Sequence, residues 1–158
     1  VNNFIEKCKK KSAIKMNNKM DNIFFSRKHL NSKRPITNYD NFDNMCIKNN
    51  KNIYSIIPET YNLADQVTII NNANKIISLI GACCESIIFT NTNCKFYIIC
   101  SKATLCWANG YKKSFYNGAN KCIVLNHGIL DFNHKKENKQ KNNHPWTIDL
   151  NKIYPYFH

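Results

Sequence analysis

Short segments rich in β-branched and aromatic residues recur along the middle of the chain, and this recurrence constrains the fold more than any other feature. The segments Val67–Ile69, Phe96–Ile98 and Ile123–Leu125 are alike in composition, and each is followed by a second apolar segment that begins at residue 77, 103 or 130. Turn-forming asparagines lie between them, as in Asn71–Asn74. Two segments that share one spacing near 27 residues indicate a structural repeat.

Three short strands in each repeat predict an all-β fold, a short parallel β-helix of two to three coils over residues 53–133. Segments Ile87–Phe89 and Ser114–Tyr116 supply the third strand. Each strand would pair with its equivalent in the next coil, and alternate side chains would stack inward. An antiparallel sandwich or meander is the alternative, because it also has many short strands separated by turns. The predicted inward ladders are Val67, Phe96 and Ile123, then Ile69, Ile98 and Leu125, then Leu79, Leu105 and Phe132.

Lysine and asparagine dominate two flanks, residues 1–52 and 134–158. The net charge of +13 would suit an anionic partner, but the stretch from residue 54 to residue 92 contains a single lysine, Lys75. We therefore interpret the flanks, with the basic clusters Arg27–His29 and Ser32–Pro35, as solvated and poorly ordered segments. Trp146 and the C-terminal aromatic residues are expected to cap the last coil.

Eight cysteines leave three interpretations open. Cys83 and Cys84 are adjacent, and no CxxC pair of the kind that zinc sites use occurs. Most of the cysteines lie inside apolar runs, where a reduced thiol acts as a small hydrophobic group. Buried reduced cysteines are therefore the favoured interpretation, and disulfides or a metal site are the alternatives.

Several segments resemble the coils of the adhesin-like surface proteins of methanogenic archaea. The segment Thr60–Ile69 resembles the opening coil of that family, and the later pieces Ser101–Leu105, Asn109–Tyr111, Tyr116–Ala119 and Asn126–Leu130 follow its repeating signature. The resemblance implies a right-handed parallel β-helix at the cell surface or outside the cell that binds cells, glycans or surfaces without catalysis. Because the repeat ends near residue 133, we expect a truncated or degenerate member, a fragment of a larger protein.

The expected function is therefore that of a non-enzymatic surface module. Its partner would be a cell-surface glycan or protein, bound on exposed strand faces such as those at Thr68, Ser78, Tyr97 and Thr104. No catalytic residue, metal ligand, cofactor or specific nucleic acid is expected, and the residues that bind a ligand are not identified. The longest apolar run, Ile76–Cys84, is too short to span a bilayer, and no signal peptide is visible.

The alternative function is that of a small basic nucleic-acid-binding protein or an HNH-type metal-dependent nuclease. Such a nuclease places an acidic residue or a histidine beside a histidine that activates water, with a metal on the scissile phosphate. His127, Asp131 and His134 could supply these groups. His134 and His144 could also bind a metal, but isolated exposed histidines are usually solvated.

Overall fold

The structure is a mixed α/β fold built on one twisted sheet. The computed structural model describes residues 1–14, 20–30, 36–48, 53–115, 121–130 and 145–156. The strands are β1 (Asn22–Phe25), β2 (Ile53–Ile56), β3 (Lys75–Leu79), β4 (Lys95–Ser101), β5 (Lys121–Leu130) and β6 (Trp146–Ile148). The α-helices are α1 (Asn2–Lys11), α2 (Tyr39–Lys48), α3 (Leu63–Asn72), α4 (Leu105–Phe115) and α5 (Leu150–Ile153). Short 3-10 helices cover Lys28–Leu30, Pro58–Thr60, Ala82–Phe89, Lys102–Thr104 and Tyr154–Tyr156.

The strand order identifies a doubly wound sheet. The six strands lie in the order β2-β1-β3-β4-β5-β6. The first five are parallel, and β6 runs antiparallel to β5. A helical segment follows each of the strands β1 to β4 and returns the chain to the same end of the sheet, as parallel pairing requires. The predicted all-β parallel β-helix is therefore wrong.

Both faces of the sheet are covered, which explains the nearly continuous apolar runs in the central strands. In β4, Phe96, Ile98 and Cys100 face the side covered by α3, α4 and the 3-10 helix Ala82–Phe89. Tyr97 and Ile99 face the side covered by α2, β6 and α5. Burial on both sides removes the alternation of polar and apolar residues that marks a half-exposed strand.

Three of the predicted strands are confirmed and four are wrong, and of the predicted strand at residues 130–132 only residue 130, which lies in β5, is described. Residues 77–79, 96–98 and 123–125 lie in β3, β4 and β5. The predicted ladders are wrong, because Phe96 pairs with Ile76 and Cys122, and Ile98 pairs with Ser78 and Val124. The four other predicted segments are helical: residues 67–69 lie in α3, residues 87–89 in a 3-10 helix, residues 103–105 where a 3-10 helix meets α4, and residues 114–115 in α4. Residues 116 and 131–132 lie outside the described residues.

Helix α3 looked like a strand because it is buried on two sides. Ile69 and Ile70 pack against the sheet, whereas Val67 packs against α1 in a separate cluster with Ile5 and Cys8. A helix between two layers carries apolar residues around most of its circumference. Its start is fixed by Asn62, whose side-chain oxygen accepts a hydrogen bond from the backbone N–H of Asp65 at 2.9 Å.

The segment 1–52, expected to be a poorly ordered flank, contains a central strand. Strand β1 lies between β2 and β3, and Ile23, Phe24 and Phe25 are fully buried. Helix α1 is held on α3 through the Asp65 carboxylate, which accepts hydrogen bonds from Ser12 Oγ at 2.5 Å and Ala13 N at 2.9 Å. These bonds to the ionised form lower the pKa of Asp65. The expected boundary at residue 52 therefore falls inside the sheet.

Trp146 belongs to a strand and does not cap a coil. It pairs with Leu130 across β5 and β6 and is buried. The segment 36–38, which follows β1 in the chain, also reaches β6. Thr37 N donates to Trp146 O at 3.0 Å, and the Asn38 amide exchanges two hydrogen bonds with the Ile148 backbone. The segment that follows β1 thus reaches β6, the edge strand at the far end of the strand order.

All eight cysteines lie in the described residues and are free thiols. Six are buried, Cys83 is half-buried and Cys106 is exposed. Burial raises the pKa of the thiols of Cys46, Cys84, Cys94, Cys100 and Cys122. The favoured interpretation, buried reduced cysteines, agrees with this arrangement, because the thiols fill core positions as small apolar groups.

Candidate functional site

The carboxyl ends of β1 and β3 form the candidate site. The chain leaves β1 toward one face of the sheet, through α2, and leaves β3 toward the other face, through the 3-10 helix Ala82–Phe89. Connections that diverge in this way open a crevice between neighbouring strand ends. In doubly wound sheets, ligands bind in such a crevice, where the strand order reverses.

Arg27 and Gly81 form the two sides of this crevice. Arg27 follows β1, and its Nη1 donates a hydrogen bond to the backbone oxygen of Ile80 at 2.8 Å. Gly81 has φ 158° and ψ −172°, a combination that residues with a Cβ rarely adopt. A Cβ at Gly81 would collide with the guanidinium of Arg27. Only glycine therefore lets the guanidinium lie against the backbone here.

Tyr39 fixes the backbone that carries Arg27. Its hydroxyl oxygen accepts a hydrogen bond from the Arg27 backbone N–H at 2.7 Å and lies 3.1 Å from Ser26 Oγ. The ring is buried at the start of α2, and burial raises the pKa of the phenol, so it stays neutral at physiological pH. Strand β1, α2 and β3 thus hold the arginine in one position.

The crevice has the donors that an anion needs. A guanidinium carries five N–H donors, and in the described residues the Ile80 oxygen accepts one of them. On the opposite side the 3-10 helix Ala82–Phe89 begins, and its first backbone N–H groups have no partner within the helix. Arginine beside the start of a helix is suited to a phosphate or diphosphate.

Two carboxylates of α2 lie near this edge. Asp40 forms an ion pair with Lys28 at 3.0 Å between exposed side chains, and this bond raises the pKa of Lys28. Asp43 is only partly exposed, and its Oδ1 is buried without a hydrogen-bond partner within the described part of the chain. Burial, and to a lesser extent the negative charge of Asp40, raise the pKa of Asp43. Asp43 is therefore a better proton acceptor than an ordinary surface aspartate.

We expect Asp43→Asn to keep or raise the thermal stability at pH 7. Because the folded pKa is raised, the wild type loses stability as pH rises through that pKa, and the asparagine variant does not. The difference in melting temperature between the two proteins should shrink toward low pH. Thermal unfolding followed at several pH values between about 3 and 8 measures this. The control is Asp40→Asn, which removes an exposed, paired carboxylate; an Asp43→Asn protein that is less stable at pH 7 and recovers in acid would contradict the assignment.

The strand faces expected to bind a ligand are not exposed. Thr68, Ser78, Tyr97 and Thr104 are all buried. Thr68 Oγ1 donates to Ala64 O at 2.8 Å within α3, and Thr104 forms a capping box with Ser101. These side chains therefore serve the fold.

The residues of the nuclease hypothesis are not brought together by the described structure. His127 lies in β5, half-buried, with its ring centroid 6.3 Å from that of Tyr156. Asp131, His134 and His144 lie outside the described residues. Where the structure describes the chain, no group of three or more His, Cys, Asp or Glu side chains could hold a metal.

Comparison with known proteins identifies the family. Residues 1–97 match the family model described as Glycosyltransferase 61. The chain belongs to the glycosyltransferase 61 family. The matched region includes β1, β2 and β3, and so contains both Arg27 and Gly81. No curated protein and no solved structure shows significant similarity to the chain.

Membership of the glycosyltransferase 61 family corrects several expectations. The resemblance to adhesin-like proteins is wrong, and so is the non-enzymatic function drawn from it, because the family is one of enzymes. The nuclease and nucleic-acid-binding alternatives have no support either. In the described ranges no helix is long and apolar enough to cross a bilayer.

The contact between Arg27 and Gly81 is not predicted by the sequence patterns described above. Each follows a short buried apolar run, Ile23–Phe25 and Ile76–Ile80. A polar residue or glycine within two positions after such a run is a signal for the carboxyl end of a parallel strand. Because Arg27 lies in a basic cluster, its local sequence instead indicates a solvated segment.

Proposed function

We propose that this protein transfers a sugar from an activated donor to an acceptor hydroxyl. The observation that carries the proposal is the family match, since it spans the residues that form the crevice at the ends of β1 and β3. Activated sugar donors leave a phosphate or diphosphate when the sugar departs. An anion site at the crevice fits that leaving group, and a glycan partner, expected from the sequence, becomes the acceptor in this proposal.

Arg27 would bind and stabilise the departing phosphate group. Its guanidinium is fixed by Ile80 O and by the Tyr39 contact to its backbone, so little reorganisation is needed as negative charge develops. A guanidinium can contact two phosphate oxygens at once, which gives both affinity and orientation. Backbone N–H groups at the start of the 3-10 helix Ala82–Phe89, which begins after Gly81, would donate to the same anion.

Asp43 would accept the proton of the acceptor hydroxyl. Transfer requires a base at this oxygen, and a carboxylate with a raised pKa accepts a proton more readily. Asp43 lies one helical turn beyond Tyr39, on the same side of α2. This role would give Asp43→Asn a lower kcat without weakening donor binding.

Arg27→Ala tests the donor site. We expect it to weaken the binding of a nucleoside diphosphate by about 10- to 100-fold, the effect of losing one or two charge-assisted hydrogen bonds. Isothermal titration calorimetry with UDP, GDP and their sugar conjugates, on the full chain, measures the change. Arg27→Lys should restore only part of the affinity, because lysine cannot make the two-pronged contact.

Lys95→Gln is the matched control, because Lys95 is an exposed cation at the amino end of β4, whereas the crevice lies at the carboxyl ends of the strands. It should leave the affinity unchanged. Equal losses in Arg27→Ala and Lys95→Gln would mean that the net charge of +13 attracts nucleotides without a site. Absence of binding by the wild type to every conjugate would overturn the proposed donor site.

A further inference from the structure

A small polar cavity lies at the amino end of the sheet, between α1, the end of α3 and the segment 88–92. It has a volume of about 250 Å³ and opens to solvent. Helix α3 ends shortly before β3 begins, and the segment 88–92 ends shortly before β4 begins. The crevice at Arg27 and Gly81 lies at the other end of β3, a strand of 5 residues that spans about 15 Å. The cavity is therefore separate from the candidate site.

The floor of the cavity is held in place by two asparagine side chains. Asn71 and Asn91 both line the cavity and are half-buried. Asn91 Nδ2 donates to the backbone oxygens of Asn71 at 2.7 Å and of Ala73 at 2.8 Å, one bond for each of its two amide hydrogens. Asn71 Nδ2 donates to Phe89 O at 2.9 Å. These bonds join the end of α3 to the segment before β4.

Helix α1 forms one wall of the cavity, through Asn2, Ile5 and Glu6. Ile5 is buried in the cluster that α1 shares with α3. The ring centroids of Phe4 and Phe89 lie 5.9 Å apart, which joins the same helix to the 3-10 helix Ala82–Phe89. The wall is therefore positioned by the fold before any ligand binds, and binding needs little reorganisation.

The lining combines polar groups with an apolar surface. Asn71 and Thr92 carry amide and hydroxyl groups, and Ile88, which is 38% exposed, adds an apolar surface. Glu6 is the one charged side chain among the described residues that line the cavity. Its Oε1 accepts a hydrogen bond from Lys9 Nζ at 3.0 Å, and a carboxylate has a second oxygen that accepts hydrogen bonds.

Such a lining fits a neutral ligand with several hydroxyl groups. An anion would meet the Glu6 carboxylate, and no described residue that lines the cavity is a lysine or an arginine. A calcium ion takes 6–8 oxygen ligands, which a single carboxylate shared with Lys9 does not supply. A wholly apolar ligand would leave the polar groups of the lining without partners. A sugar ring, in contrast, has hydroxyl groups at its rim and apolar C–H groups on its face.

We propose that this cavity is an accessory site that binds one sugar unit of a glycan. The Glu6 carboxylate and the Asn71 amide would bond to the sugar hydroxyls, and the C–H face of the ring would lie on Ile88. Pockets for drug-sized ligands have volumes of about 300–1,000 Å³, so a cavity slightly below this range suits a single ring. Sugar binding here does not depend on the proposed function, whereas the role of that sugar as part of the acceptor rests on it.

NMR titration of the ¹⁵N-labelled full chain with glucose, galactose, mannose and N-acetylglucosamine tests the accessory site. We expect at least one sugar to shift the backbone amide signals of residues 2–6, 71 and 88–92 in a saturable way. Glu6→Ala should weaken that binding by about 10-fold, the effect of losing a hydrogen bond to a charged group. Thr92→Trp should abolish it by filling the cavity. Circular dichroism checks that both variants are folded.

Glu85→Ala is the matched control for Glu6→Ala. Glu85 is an exposed carboxylate in the 3-10 helix that also carries Ile88, but it does not line the cavity. It should leave the sugar affinity unchanged. Equal losses in Glu6→Ala and Glu85→Ala, sugar binding that persists in Thr92→Trp, or a panel in which no sugar shifts these amide signals would overturn the site.

Glucose 6-phosphate separates a sugar site from general attraction by the net charge of +13. It should bind at the cavity no more tightly than glucose, because the lining offers its phosphate no cation. Tighter binding than glucose that is lost on adding salt would mean charge attraction and would overturn the accessory site.

The failure of this inference and the failure of the proposed function give different results. If nucleoside diphosphates bind through Arg27 but no sugar shifts the amide signals of the cavity, the accessory site is wrong and the donor site stands. If sugars bind in the cavity but no nucleotide binds, the chain is a carbohydrate binder and the proposed function is wrong. Sugar binding that Arg27→Ala leaves intact and Glu6→Ala weakens supports two separate sites.

Discussion

Phe24→Ala is expected to lower the free energy of unfolding by about 3–5 kcal/mol. Phe24 is fully buried at the centre of β1, and its ring meets that of Phe42 in α2 edge to face, with centroids 5.1 Å apart. The truncation removes apolar burial, leaves a cavity and breaks the aromatic pair. For a domain of this size each kcal/mol lowers the melting temperature by about 2–4 °C. Urea unfolding followed by circular dichroism measures the loss.

The matched control for Phe24→Ala is Tyr54→Ala. Tyr54 lies in the neighbouring strand β2 and is 44% exposed. An aromatic truncation at such a surface position should change stability by no more than about 0.5 kcal/mol. If Phe24→Ala cost no more than Tyr54→Ala, β1 would not be a central strand, and the first 52 residues would be the flank that their composition indicates.

Gly128→Ala is expected to lower the free energy of unfolding by about 1–3 kcal/mol, the cost of overpacking a well-packed site. A Cβ at Gly128 would lie 2.7 Å from the Cα of Ser101, which is backbone and cannot rotate away, and it would also collide with the Trp146 ring. Strand β6 should therefore move off β5. In a Trp107→Phe background, a red shift of the Trp146 emission reports that movement.

Gly110→Ala is the control for Gly128→Ala, and its expected effect has the opposite sign. Gly110 is exposed within α4, and a Cβ there would meet nothing within 4 Å. Alanine should stabilise the helix by about 0.5–1 kcal/mol, because it restricts the unfolded chain more than glycine does. A neutral Gly128→Ala would contradict the close approach of β5, Ser101 and Trp146.

The strands that could be predicted from the sequence are those that the sheet buries on both sides. Residues 96–98 and 123–125 are continuous apolar runs, and residues 77–79 are interrupted only by Ser78; such segments suit central parallel strands. Residues 67–69, interrupted only by Thr68, have the same pattern but lie in α3, because α3 lies between α1 and the sheet and is apolar on both sides. In a short window a buried strand and a buried helix look the same.

The spacing near 27 residues does not mark a repeat of equivalent elements, because residues 67–69 lie in α3 and residues 103–105 are helical, whereas residues 96–98 and 123–125 lie in strands. Only the interval from residue 96 to residue 123 joins two strands, β4 and β5, through a helix. A strand followed by a helical segment and two connections has about the same length as one β-helix coil, since a βαβ unit needs about 30 residues or more. One signal could have separated the two interpretations. Asn62, with Asp65 three residues later, precedes the run at Val67 and marks a helix start.

The candidate site could not be predicted from local patterns. Arg27 and Ile80 are 53 positions apart and meet because β1 and β3 are neighbours, although β2 lies between them in the chain. That adjacency follows only from the strand order. The placement of Asp43 and Tyr39 at the site depends in the same way on which face of the sheet α2 covers.

The reactivity of the buried thiols measures how often the core opens. Burial raises the pKa of Cys84 and Cys94 to about 12 and that of Cys100 to about 11, so in the folded state almost no reactive thiolate forms near neutral pH. Unfolding restores both solvent access and the ordinary pKa. Alkylation rates at these cysteines therefore report the opening free energies of the segments around β3 and β4 without any introduced label.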